Sequence, residues 1–287
     1  MSRPTHPRLV DRRDFLRSFG ACLALPLAGC AAGRAETAGI TFRPPGPGDP
    51  QPQQRGLRNP DLFLPSNLPP GTRVTYNSTD VSGNYVALTF DDGPHPSHTP
   101  RLLDILKQRN VKATFYVVGT NVSRHPHIIR RMLAEGHEVG NHTVNHPNLS
   151  QMGDDGVRRE LDGVITAMRS AAPNYRMRTM RPPYGALTQR QREWIFREYG
   201  YPTIMWSVDP QDWRRPGASV VTQRILSNTR SGGIVLAHDI HGATIDAMPA
   251  TVDGLLGRGF RFVTVSQLIG LEQRNRPVGS VFSAGVW

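Results

Sequence analysis

From residue 86 onward, the hydrophobic positions fall into short runs separated by longer amphipathic stretches. The runs predict seven β-strands, at residues 86–90, 113–118, 138–141, 177–180, 203–207, 234–237 and 261–265. Strands that alternate with helices indicate βαβ units and a parallel sheet. The pattern therefore favours an α/β fold, a distorted (β/α) barrel of about seven strands in a single domain. An open doubly wound sheet is the alternative.

Turn and capping residues mark the ends of several helices between these strands. Gly136 is placed to end a helix over residues 126–135. Thr188 and Gln191 have the spacing of a capping box, which predicts that the next helix begins there. Pro249 suits the first turn of a later helix.

The extreme N-terminus has the pattern of an export signal rather than of a folded element. Residues 1–30 combine basic residues, including Arg12 and Arg13, with an apolar run too short to span a bilayer. This arrangement resembles a twin-arginine signal. The sequence LAGC ending at Cys30 resembles a lipobox, so we expect a lipidated Cys30 that anchors the protein to a membrane. Cleavage that leaves a soluble protein is the alternative.

Composition separates the remaining parts of the chain. Residues 31–79 are rich in proline, glycine, glutamine and arginine, which is typical of an extended linker. We expect the folded domain over residues 80–272 and an irregular tail over residues 273–287.

Both cysteines of the chain lie within the first thirty residues, so any metal in the domain must be held by His, Asp or Glu.

The chain is strongly basic, with a formal net charge of +11. Such a charge favours contact with anionic polymers or surfaces, although a solvated basic surface is an equal alternative. No nucleic-acid-binding motif is visible, so no nucleic acid partner is expected. We expect a monomer.

Polar residues suited to catalysis follow the predicted strands. In a β/α barrel the carboxyl ends of the strands carry the active site, so these side chains are expected to share one rim. They are Asp91, Asp92, His142, His146, Arg181, Asp209, Asp212 and His238.

Two of these histidines suggest a metal site. His142 and His146 are four residues apart, and on a helical turn they would face the same way, although such a pair is often incidental. Two histidines and one carboxylate would leave an open coordination position, as catalytic zinc sites require, where a water molecule can be activated. Of the adjacent Asp91 and Asp92, one can bind the metal while the other serves as a base.

Five short motifs in order give the sequence a family resemblance. They are TFDDGP at residues 89–94, HTVNHP at 142–147, RPPY at 181–184, DPQDW at 209–213 and LAH at 236–238. Together they resemble the motifs of the polysaccharide deacetylases, the NodB-homology or carbohydrate esterase family 4 enzymes. Each motif alone is weakly specific, but five in order are strongly so. The resemblance covers about residues 80–270 and implies a distorted β/α barrel.

The resemblance implies a ligand set and a base. Asp92, His142 and His146 would bind a divalent metal, most often Zn²⁺ in this family, with Co²⁺ or another divalent ion also possible. Asp91 would be the general base that deprotonates the attacking water. Arg181 would hold Asp91 ionised and oriented through a charge-assisted pair.

It also implies the remaining catalytic and substrate-binding groups. The backbone N–H of Tyr184 would help to stabilise the oxyanion. His238 would protonate the departing amine as general acid, and Asp212 would keep it protonated. A small acetyl pocket would be walled by Trp213 and Leu236, and Pro183 is also expected to bind substrate.

The function implied is removal of N-acetyl groups from a GlcNAc-containing polysaccharide such as peptidoglycan, a chitin-like polymer or an exopolysaccharide. The protein would be exported and act in the cell envelope, on an acetylated polysaccharide as its partner. One alternative is an O-acetyl esterase on acetylxylan-type polymers. Another is a non-catalytic envelope lipoprotein that binds glycans. A metal-dependent phosphoesterase is less favoured, because no phosphate-binding loop is visible.

Overall fold

A computed structural model of the chain describes residue 68 and residues 71–275. The predicted export signal with its lipobox, most of the predicted linker and residues 276–287 lie outside the described residues. Within the described part of the chain, no helix has both the length and the apolarity needed to cross a membrane.

The described part contains seven strands and eight α-helices. The strands are β1 (Thr75–Tyr76), β2 (Tyr85–Asp91), β3 (Thr114–Val117), β4 (Glu138–Asn141), β5 (Thr203–Ile204), β6 (Gly233–Val235) and β7 (Arg261–Phe262). The helices are α1 (His98–Gln108), α2 (Gly119–Arg124), α3 (Pro126–Ala134), α4 (Asp154–Ala171), α5 (Gln189–Tyr199), α6 (Ala218–Asn228), α7 (Gly242–Gly257) and α8 (Val265–Asn275).

Strand β2 lies at the centre of the sheet. It pairs in parallel with β3, β6 and β7, and β3 pairs in parallel with β4. All side chains of β2 after Tyr85 are buried, which explains why the strand reads as an almost continuous apolar run. Val86, Leu88 and Phe90 belong to one core cluster, while Ala87 belongs to another that includes residues of α8. The predicted parallel α/β architecture is confirmed.

The ladders do not close a barrel. Strands β1 and β5 form a separate pair, and only single bridges connect it with the main sheet. Met180 makes two of these bridges, to Asn141 at the end of β4 and to Thr203 in β5. The predicted strand at residues 177–180 is thus reduced to one bridging residue, and the strand pairing does not confirm the expected seven-stranded barrel.

Several local predictions are confirmed because their causes lie within a few residues. β4 has the predicted bounds. Helix α3 ends at Ala134, and Gly136 follows with a φ of 80°, a conformation that favours glycine. The side chains of Thr188 and Gln191 form the predicted capping box at the start of α5.

Other local predictions are wrong. Pro249 lies inside α7 rather than in its first turn, because the helix already begins at Gly242. An internal proline removes one backbone hydrogen bond, and here burial of residues such as Ile245 and Val252 on the same helix offsets that loss. The folded domain also extends beyond the expected limits: β1 lies within the segment interpreted as linker, and α8 reaches Asn275 in the segment interpreted as tail.

Candidate active site

Asp92, His142 and His146 come together at the carboxyl end of the sheet. Oδ1 of Asp92 lies 3.3 Å from Nε2 of His142 and 3.2 Å from Nε2 of His146. One ligand atom from each residue lies within 4.8 Å of the others. Asp92 follows β2 directly, and His142 follows β4, so the parallel sheet brings the two motifs together.

The two histidines are not on a helical turn, which corrects the prediction. Residues 142–148 form a loop, and Thr143 and His146 have φ values of 67° and 61°. The N–H of Thr143 donates to Oδ1 of Asn141, and the N–H of His146 donates to Oγ1 of Thr143. The loop therefore turns both imidazoles toward Asp92 without a helix.

The donor atoms of this cluster fit a divalent cation. Nδ1 of His142 lies 2.7 Å from the carbonyl oxygen of Arg181, which can only accept, so Nδ1 carries a proton and Nε2 of the neutral ring presents a lone pair. Oδ1 of Asp92 is buried and has no hydrogen-bond partner. A lone pair and an unsatisfied carboxylate oxygen that face each other are the ligands that a metal such as zinc requires.

Asp91 and Arg181 form a buried ion pair beside the cluster. Nη1 of Arg181 donates to Oδ1 of Asp91 at 2.7 Å, and the two side chains are 0% and 4% exposed. Oδ2 of Asp91 lies 3.8 Å from Nε2 of His142. The carboxylate is thus held by arginine on one side and faces the cluster on the other.

The guanidinium of Arg181 is fixed by further contacts that the sequence did not reveal. It donates to Oγ1 of Thr89 at 2.7 Å and to the carbonyl oxygens of Ile204 and Met205. It also stacks 4.4 Å from the ring centroid of Tyr116. Thr89 belongs to the first motif, two residues before Asp91, and this position was the only available sign of its role.

His238 and Asp212 form a second buried pair. Nδ1 of His238 lies 2.8 Å from Oδ1 of Asp212, and the backbone N–H of His238 donates to Oδ2 at 2.8 Å. Burial alone would lower the pKa of His238, but the hydrogen bond and charge of Asp212 outweigh it and raise the pKa to about 9. Thr244 also donates to Asp212 at 2.8 Å, a contact for which the sequence offers no indication.

The remaining predicted site residues differ in exposure. Tyr184 has a left-handed backbone (φ 59°), is 71% exposed, and its ring lies edge-on to His146 with centroids 4.8 Å apart. Pro183 and Leu236 are buried. Trp213 is 48% exposed and immediately follows Asp212. The structure therefore places the exposed ring of Tyr184 beside His146, and the exposed Trp213 directly after Asp212 in the chain.

Comparison with known proteins identifies the family to which this chain is similar. The polysaccharide deacetylase family model matches residues 78–204. A chitooligosaccharide deacetylase from Bradyrhizobium sp. (strain ANU 289) is 42% identical over 210 residues, which cover 68% of this chain and 95% of the relative. The chain belongs to the polysaccharide deacetylase family. The match to nearly the whole length of this relative decides the assignment.

Two further proteins are similar to this chain over most of its length. The peptidoglycan-N-acetylglucosamine deacetylase PgdA of Listeria monocytogenes is 39% identical over 227 residues, which cover 78% of this chain but only 48% of the relative. The chain thus spans about half the length of that relative. The structure of the peptidoglycan deacetylase PdaC from Bacillus subtilis superposes with a TM-score of 0.63 at 33% identity, covering 68% of this chain and 94% of that chain.

Proposed function

We propose that this protein is a metal-dependent hydrolase that removes N-acetyl groups from a GlcNAc-containing polysaccharide. One observation carries the proposal: Asp91 is paired with Arg181 on one side, faces the cluster of Asp92 and two histidines on the other, and bridges to His238 through the backbone. The groups proposed as base, metal ligands and acid thus all lie close to Asp91.

The base side of the reaction follows from the ion pair. A divalent metal held by Asp92, His142 and His146 would supply a Lewis acid that polarises the acetyl carbonyl and makes a water molecule more acidic. Asp91 would accept the proton from the attacking water. Arg181 fixes the orientation of Asp91, so the accepting oxygen is in place before substrate binds.

The acid side follows from the second pair. With a pKa of about 9, His238 is protonated at neutral pH and can donate its proton from Nε2 to the leaving nitrogen. Asp212 occupies Nδ1, which leaves Nε2 as the free donor. The backbone N–H of Tyr184 is proposed to donate to the oxyanion.

Trp213, Leu236 and Pro183 are proposed to bind the acetylated sugar. Buried Leu236 and Pro183 provide apolar surface, while the exposed ring of Trp213 can stack against a sugar face. The guanidinium of Arg214 lies 4.6 Å from the Trp213 ring centroid, so positive charge accompanies this aromatic surface.

The polymer is proposed to be a cell-envelope glycan. The names of the Listeria and Bacillus relatives refer to peptidoglycan, and the net charge of +11 favours an anionic polymer. Zn²⁺ is the proposed metal, because two imidazoles and one carboxylate suit it. Export through the N-terminal signal, with lipidation of Cys30, would place the enzyme at a membrane surface facing such a polymer.

An acetate-release assay on the purified protein tests this function. Chitooligosaccharide, peptidoglycan and acetylxylan are compared under the same conditions, with Zn²⁺ present. We expect acetate from at least one of the two N-acetylated substrates. Acetate from acetylxylan alone would contradict the amide activity and favour an O-acetyl esterase, and no acetate from any substrate would favour the glycan-binding alternative.

A further inference from the structure

The loop that carries His146 is the least regular part of the metal site. Thr143 and His146 both have a left-handed φ, which non-glycine residues rarely adopt unless surrounding contacts hold them there. His142, in contrast, follows β4 directly, and its ring is held by the carbonyl oxygen of Arg181. The position of His146 therefore depends on whatever fixes the loop between the two histidines.

A buried glutamate on α4 accepts three hydrogen bonds from this loop, whose carbonyl oxygens also accept from the backbone N–H groups of Gly119 and Thr120. Glu160 is 9% exposed, and its Oε2 accepts from the backbone N–H of Val144 at 3.0 Å and of Asn145 at 2.9 Å. Its Oε1 accepts from Nδ2 of Asn145 at 3.1 Å. Hydrogen bonds to an ionised carboxylate are stronger than those between neutral groups, so both oxygens of Glu160 tie the loop to the helix.

Packing of Val144 supports the same attachment. A Cβ at Gly163, three residues after Glu160 on α4, would lie 2.8 Å from Cβ of Val144. A Cβ at Gly119, the first residue of α2, would lie 2.9 Å from Cγ2 of Val144. The valine thus sits in a slot between two glycines, and only hydrogen fits on either side.

We propose that Glu160 is a positioning residue for the metal centre: it holds the loop so that Nε2 of His146 stays opposite Oδ1 of Asp92. It touches no ligand itself, because its contacts end at Asn145, the neighbour of His146. The proposal rests on the proposed function only in requiring a metal at Asp92, His142 and His146. Loss of Glu160 is expected to displace His146, while Asp92 and His142 keep their positions directly after β2 and β4.

Metal binding to the apoprotein tests the proposal without using activity. Glu160→Gln keeps the shape but replaces one acceptor oxygen with an NH2 group that can only donate, so the remaining oxygen cannot accept from all three loop N–H groups, and the negative charge is lost. Co²⁺ is titrated into the apoprotein and followed by its visible absorption, with Zn²⁺ competition for affinity. We expect metal affinity to fall by about 10- to 100-fold and the Co²⁺ spectrum to change, as when groups that orient a ligand are removed.

Two further variants make the test specific. Asn145→Ala removes the one hydrogen bond to Oε1 and leaves Glu160 intact, so its loss of affinity should be smaller than that of Glu160→Gln. Asp155→Asn changes an 81% exposed carboxylate on the same helix and should bind metal as the wild type does. If Glu160→Gln does not fold, Asn145→Ala provides the test in its place.

The outcomes separate the positioning role from the proposed function. Wild-type affinity and spectrum in both Glu160→Gln and Asn145→Ala, even with a lower melting temperature, would overturn the positioning role and leave the function standing. Absence of Co²⁺ and Zn²⁺ binding in the wild type would instead contradict the proposed function itself.

Discussion

Asp91 and Arg181 share one hydrogen bond of 2.7 Å inside the protein, and the second oxygen of Asp91 lies 3.8 Å from Nε2 of His142. The two oxygens of this carboxylate thus have different environments. Because Oδ1 is occupied by the guanidinium, only Oδ2 is available to accept a proton near the metal ligands. This division supports the base role proposed for Asp91 and makes both residues testable.

Replacing Asp91 with asparagine should abolish proton acceptance without removing a metal ligand. We expect kcat for acetate release to fall by about 10²- to 10⁴-fold, the contribution typical of a general base. Zn²⁺ affinity should remain near that of the wild type, whereas the melting temperature should fall, because Arg181 is left as an unpaired buried charge. Asp155→Asn, which changes an exposed carboxylate outside the motifs, serves as the control, and wild-type turnover in Asp91→Asn would refute the assignment.

Arg181 should matter for stability as well as for turnover. Arg181→Met would leave Asp91 as an unpaired buried charge, which costs about 3–5 kcal/mol of unfolding free energy. Urea denaturation measures this cost, and Arg181→Met combined with Asp91→Asn should recover part of it because the uncompensated charge is then gone. A loss below about 1 kcal/mol in the single variant would contradict the pairing.

The pH dependence of turnover should report the pair of His238 and Asp212. The acid form of His238 is present below its pKa of about 9 and is lost as the pH rises through that value. We therefore expect kcat to fall about tenfold for each pH unit above 9. Because the pKa of His238 is higher in the folded than in the unfolded protein, its pairing with Asp212 also stabilises the fold. This stabilisation is complete below about pH 6.5 and disappears as the pH rises through 9.

Asp212→Asn provides the matched variant for that pH profile. It removes the charge that raises the pKa of His238, while burial, which lowers the pKa, remains. The pKa that governs the alkaline fall of kcat should then move from about 9 to the ordinary value of 6.5 or below. Turnover at pH 8 should therefore fall more than turnover at pH 6. An unmoved limb would show that another group donates the proton.

Removal of the metal should affect both turnover and stability. Chelation should abolish acetate release, and added Zn²⁺ or Co²⁺ should restore it. A ligand that binds only the folded state stabilises it by about 2.7 kcal/mol at one hundred times its Kd, which calorimetry with and without Zn²⁺ can measure. Full turnover in the metal-free protein would be incompatible with the proposed site.

Trp213 should contribute to substrate binding rather than to chemistry. Trp213→Ala should raise KM by about five- to tenfold with little change in kcat, as expected when stacking against a sugar is lost equally in ground and transition states. Leu256→Ala removes another exposed apolar side chain, 40% exposed on α7, and should leave both parameters unchanged. An equal KM in both variants would exclude Trp213 from the binding surface.

Much of the fold could be predicted because its causes are local. The apolar run of β2 and the capping box of Thr188 and Gln191 are properties of neighbouring residues, and the structure reproduces them. The prediction for Pro249 failed because packing of α7 against its neighbours outweighs the preference of proline for a first turn. β1 was missed because its two residues form a strand only by pairing with β5.

The candidate site shows the same distinction. The motifs identified which residues meet, since parallel strands bring their carboxyl ends together. They did not reveal the loop between His142 and His146, because Val144 and Asn145, which lie between its two left-handed residues, are held by Glu160 on a distant helix. They did not reveal Thr244 either, because it acts through a single hydrogen bond to Asp212 from a helix outside the motifs.

The two parts of the site differ in how easily they should unfold, because β2 is central in the sheet and the loop that carries His146 is not. Leu88 and Phe90 are bonded to neighbouring strands, so their amide protons should exchange with solvent only when the whole domain opens. The amides of Val144 and Asn145 are protected by one carboxylate and should exchange through a local opening of the loop. Heating would then release His146, and with it the cation, while the strand that ends in Asp91 remains folded.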